Sequence, residues 1–127
     1  MKKKALALLL SIMTVISVIT MTSLTAHAEQ VNLYTNQTSS STRLVPALGT
    51  KAKVYNSASS AHRVWGIIKY NSGLSTVEDR SKLVGVGKTL EFNSASKFTL
   101  KMNWMLTLDP YGNNTKNCTA DGYLYAR

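Results

Sequence analysis

From Phe98 to Leu108 every second position is apolar: Phe98, Leu100, Met102, Trp104, Leu106 and Leu108. Thr99, Lys101, Asn103 and Thr107 lie between them, with Met105 as the apolar exception. Successive side chains of a strand point to opposite faces, so this alternation predicts a strand with one dry and one wet face. Phe98, Leu100, Trp104 and Leu106 are expected in the core, and Lys97 and Lys101 on the wet face. At roughly 3.3 Å per residue the two lysines would stand about 13 Å apart.

Weaker alternation marks further strands. Lys51–Asn56 sets Ala52 and Val54 on one face. His62–Tyr70 has apolar members on both faces: His62, Val64, Gly66, Ile68 and Tyr70 on one, and Arg63, Trp65, Ile67 and Lys69 on the other. Its inward side is not decided by the pattern. Leu83–Phe92 reads as a strand weakened or bulged at Gly85 and Gly87. Cys118–Arg127 reads as the last strand, with Cys118, Ala120, Gly122 and Leu124 on one face. Glu29–Thr42 is polar and predicts a short edge strand or loose arm followed by a flexible loop.

Turn chemistry separates these segments at Asn56–Ser60, Asn71–Gly73, Asn93–Ser96 and Asp109–Asn114. Leu74–Ser81, with Glu78 and Asp79, has no alternation and reads as a loop. Lys51–Ser59 and Lys88–Ser96 echo one another, and each precedes a strand with a tryptophan, Trp65 or Trp104. That echo is compatible with two stacked hairpins or with coincidence. Six or seven short strands without helical periodicity predict an all-β fold, a small antiparallel β-sandwich or a partly open barrel.

The first 28 residues follow a different rule. Met1-Lys2-Lys3-Lys4 is charged, Ala5–Ile19 is apolar apart from small hydroxyl residues, and Ala26-His27-Ala28 has the small-x-small spacing of a signal-peptidase site. Residues 1–28 are therefore expected to be a signal peptide, and residues 29–127 one secreted β domain in which 29–50 is the candidate loose arm. The opening resembles secretory signals of Gram-positive bacteria, so the expected location is extracellular.

Charge narrows the class of partner. The full chain has 15 Lys and Arg against 6 Asp and Glu, a net charge of +9. Without Lys2, Lys3 and Lys4, 12 basic residues face 6 acidic ones, a net charge of +6. A cationic exported chain favours an anionic envelope partner, membrane or wall polymer, and no nucleic acid is expected. Cys118 is the only cysteine, so no intrachain disulfide forms and the thiol is expected inside the last strand.

Counting disfavours catalysis. After export, His62 and Cys118 are too few and too poorly spaced for zinc. A Ser-His-Asp set would need His62, which has no serine-elbow pattern near it. Glu78 and Asp79 are adjacent, and Asp109 and Asp121 read as turn formers, so no carboxylate pair suits glycoside hydrolysis. Neither a catalytic residue nor a metal or cofactor is expected. The candidate binding residues are Lys97 and Lys101, with Arg63, Trp65 and Lys69 if their face turns outward. Tyr111, Tyr123 and Tyr125 add aromatic surface suited to sugars or headgroups.

A signal peptide followed by a short, cationic, disulfide-free chain is similar in layout, though not in any motif, to the small β-sandwich bacteriocins of the lactococcin type. That resemblance implies antimicrobial action at a cell envelope. A wall- or carbohydrate-binding module and a secreted inhibitor- or immunity-type protein that binds another protein are the alternatives. The oligomeric state is not encoded in any pattern we find.

Overall fold

The computed structural model describes residues 28–127, so all but the last residue of the expected signal peptide lies outside the described part. Nine strands form two antiparallel sheets packed face to face, open at their edges rather than closed into a barrel. The first sheet orders β1 (Ala28–Leu33), β9 (Ala120–Ala126), β4 (Thr50–Asn56) and β7 (Thr89–Asn93). The second orders β8 (Met102–Pro110), β5 (Val64–Asn71) and β6 (Thr76–Val84), with β2 (Ser40–Ser41) and β3 (Val45–Ala47) both on the outer edge of β8.

The core follows the alternation. Val31, Leu33, Ala52, Val54, Phe92, Ala120 and Leu124 face it from the first sheet, and Val45, Val64, Ile68, Trp104, Leu106 and Leu108 from the second. This settles β5: Val64, Gly66 and Ile68 point inward, and Trp65, Ile67 and Lys69 point outward. At two inward-facing glycines the core has no room for a side chain. A Cβ on Gly122 would lie 2.9 Å from both Leu106 and Val31, and one on Gly66 2.8 Å from Val54.

Several expectations change. The central strand begins at Met102, not Phe98. Phe98 is half-buried against the core, whereas Leu100 is 77% exposed and not in the core. Alternation within Phe98–Lys101 is therefore not strand pairing. Instead the Phe98 amide donates to the Leu48 carbonyl at 2.7 Å.

Leu74–Ser81, expected as a loop, lies largely within β6. It is an edge strand paired to β5 through backbone groups, with a bulge between Ile68 and Lys69. Register places Arg80 and Lys82 on the inward side, opposite Ile68 and Gly66, yet both are exposed. Inward charges of this kind stop another strand from adding to an edge. Leu83–Phe92 is not one strand: β6 ends at Val84, and the Gly85–Lys88 turn carries the chain into the other sheet as β7. Gly87 has a φ of +73°, which a glycine adopts without strain.

Residues 29–50 are woven into both sheets through β1, β2 and β3. Asn56, expected to end its strand and begin the following turn, is fully buried at the end of β4, and its amide donates to His62 O (3.0 Å) and Val84 O (3.1 Å). Asp109 and Asp121 lie in strands, not turns. The echoing segments are neighbours, since β4 pairs with β7 and β5 with β8, but they are not hairpins. Each unit crosses from one sheet to the other, and Trp104 points inward where Trp65 points outward.

Candidate functional site

The sandwich has two ends. One holds the start of β4 and β8, the end of β5, β7 and β9, and the β5–β6 turn. Lys97 and Lys101 belong to this end. They do not share a strand face, because the segment that carries them precedes β8.

That segment is held firmly. The carboxylate of Asp79 on β6 accepts hydrogen bonds from the amides of Ala95 and Ser96. The hydroxyl of Ser94 accepts from the Thr50 amide (3.0 Å) and donates to Ser96 O (2.8 Å). The Phe98 ring packs with Tyr70 and Trp104, their centroids 5.0 and 5.9 Å away. A Cβ on Gly49 would lie 3.3 Å from the Lys97 Cγ, so the Lys97 stem lies along that backbone and the cation is left exposed.

Beside this segment lies a groove of about 300 Å³ between Val45–Leu48, Lys101 and Ala126–Arg127. Its walls are mostly apolar, and no Asp or Glu side chain lines it. Among the described residues the only ion pairs join Glu91 to Lys51 (3.1 Å) and Lys53 (4.0 Å). Lys97 and Lys101 thus present positive charge in no ion pair, and Arg127 lines the groove beside Lys101. Arg127 was not singled out by the sequence, because nothing local shows that the last strand delivers it beside Lys101.

The other three candidates lie elsewhere. Arg63 precedes β5 at the opposite end, with its guanidinium 4.5 Å from the centroid of the Tyr111 ring. Trp65 and Lys69 are half-buried on the outer face of the second sheet. Register sets Trp65 between Leu83 and Asp109, and Lys69 between Glu78 and Met105. Burial pushes the Asp109 carboxyl above its usual range, and the positive charge of Lys69 opposes that rise. Arg63 already has a partner inside the fold, the Tyr111 ring, whereas Lys69 acts on Asp109 through its charge without forming an ion pair.

The tyrosines also separate. Tyr111 covers Arg63, whereas Tyr123 and Tyr125 lie on the outer face of the first sheet with ring centroids 6.5 Å apart. Tyr55 shares that outer face and is exposed, with Lys53 and Gln30 flanking Tyr123 in register. The sequence grouped the three tyrosines by position; the outward turn of β9 divides them.

No protein-family model and no curated protein matches the chain. Among solved structures it is similar to PirA, at 11% identity and a TM-score of 0.49 over 81% of this chain and 95% of that one. It is also similar to a Yersinia pseudotuberculosis-derived mitogen, at 9% identity and a TM-score of 0.45 over 79% and 84% of the two chains. Likeness at this level says nothing about what the chain binds.

Proposed function

We propose that this is a secreted, bacteriocin-like binding protein that captures an anionic cell-envelope surface through the end bearing Lys97, Lys101 and Arg127. The observation that carries the reading is the exposure of Lys97 and Lys101 on a braced segment, beside a groove without an acidic side chain. Bracing matters because a preordered cation loses less conformational freedom on binding. Near an anionic membrane each such charge contributes about 1 kcal/mol, so losing both weakens binding by something over tenfold.

The test is capture by Gram-positive cell envelopes at two salt concentrations. Wild-type protein is expected to bind at low salt and release as screening rises. Lys97→Glu with Lys101→Glu should lose over tenfold in affinity by the same estimate. Lys88→Glu with Lys116→Glu, an equal charge change at the opposite end, should lose much less. Equal loss in the two double variants would show that only net charge matters and would remove the site.

A second reading has its own support. Tyr123 and Tyr125, with Tyr55 on the same outer face, form aromatic surface of the kind on which sugar rings stack. Binding that ignores salt and is lost in Tyr123→Ala would favour this carbohydrate module. Absence of binding to any envelope material would leave a protein partner as the reading that survives.

A further inference from the structure

The braced end carries two leucines that the fold does not use. Leu74, in the β5–β6 turn, is fully exposed, and Leu100 is 77% exposed just before β8. A lone exposed leucine is ordinary, but these two leave the same end of the sandwich on neighbouring segments. Asn71, the last residue of β5, pairs with Asn103 of β8. The turn that follows β5 and the segment that leads into β8 therefore emerge side by side.

Both segments hold their leucine outward. In the turn, Ser72 N donates to Ser75 O at 2.9 Å, and Gly73 has a φ of +82°, which closes the loop with Leu74 near its apex. In the other segment Phe98 is anchored in the aromatic cluster and Leu100, two residues on, is left outside. Lys101 follows Leu100 directly, and Lys97 precedes Phe98. An apolar tip flanked by cations, with a second apolar tip on the neighbouring turn, complements an anionic lipid surface, in which hydrocarbon lies beneath headgroup phosphates. An anionic wall polymer would use the lysines and leave the leucines in water. The opposite end exposes Tyr34, Val86 and Tyr111 instead, less fully than Leu74 and Leu100, and Arg63 lies over the Tyr111 ring.

We propose that the anionic surface is a lipid bilayer, into whose hydrocarbon Leu74 and Leu100 insert while Lys97 and Lys101 meet the headgroup phosphates. This rests on the envelope-capture reading above and narrows it to one target.

The experiment is co-sedimentation at low salt with vesicles of equal parts phosphatidylglycerol and phosphatidylcholine, with binding to wall teichoic acid measured in parallel. Leu74→Ser with Leu100→Ser is compared with wild type. Both side chains lie outside the core, so the variant should melt with the wild-type midpoint. Its vesicle affinity is expected to fall about tenfold or more, because each leucine loses its transfer from water. Its affinity for teichoic acid should not change. Serine variants that bind vesicles as tightly as wild type would overturn insertion and leave charge-driven capture standing. Wild type that binds teichoic acid but not vesicles would overturn the bilayer and keep the envelope. Wild type that binds neither would remove both proposals.

Discussion

The indole nitrogen of Trp104 donates a 2.8 Å hydrogen bond to the carbonyl oxygen of Ala47, inside the core. It ties the largest fully buried side chain, on a central strand, to the short edge strand β3. Pro46, in the middle of β3, is exposed on that edge, where a missing N–H costs no ladder bond. Trp104→Ala should cost about 3–5 kcal/mol from the cavity it leaves. Trp104→Phe keeps part of the packing and orphans the Ala47 carbonyl, for about 1–3 kcal/mol. Urea unfolding should rank the two in that order, and an unchanged midpoint in the alanine variant would contradict the packing.

Gly122 faces the core from β9. A methyl there meets Leu106 and Val31 at 2.9 Å and Leu108 at 3.2 Å, all buried side chains in a close-packed interior. Gly122→Ala is expected to lower stability by roughly 1–3 kcal/mol through overpacking, although alanine suits a strand better than glycine. A thermal melt at or above the wild-type midpoint would show that the sheets can part at little cost.

Cys118 is fully buried and its thiol points to the His62 carbonyl, Sγ to O 3.4 Å. Reaction with a thiol reagent should be slow in native protein and fast in denaturant, because the sulfur is reached only by opening. Rapid native labelling, or a dimer that dissociates on reduction, would contradict this placement.

Asp109 makes stability depend on pH with a definite sign. Burial beside Trp65 raises its pKa in the folded state above the ordinary 3.8, with Lys69 opposing. Between those two values the folded protein holds more protons than the unfolded chain, so stability from this group falls as pH rises through the window. At neutral pH the ionised carboxylate is a standing cost. Asp109→Asn should therefore raise the melting midpoint at pH 7, with the gain shrinking as pH falls through the folded pKa toward 3.8 and lost below it. A lower midpoint at pH 7 would mean that the carboxylate makes a favourable contact that outweighs its desolvation.

Period-two alternation alone placed β4 and β9 and assigned their inward faces, Ala52 and Val54 on one and Cys118 to Leu124 on the other. Those faces are set by where each residue's own Cβ points, which is a local property. It also indicated Trp104 and Leu106 as core, and the all-β class followed from repetition of the same signal. Other features depend on partners distant in the chain. β6 escaped notice because an edge strand with charges on both sides has no alternation, and its pairing to β5 is made by backbone groups that every sequence shares. The pattern places Asn56 at the end of its strand and in the following turn, but that its amide is buried against the His62 and Val84 carbonyls depends on tertiary contacts. Which cations gather was likewise decided in three dimensions. Arg63 lies over the Tyr111 ring and Lys69 is half-buried on the outer face of its sheet, whereas Lys101 and Arg127 line one groove and Leu100 is left in water. Alternation records which side of a strand is dry, but whether a segment pairs as a strand at all depends on what the rest of the chain brings beside it.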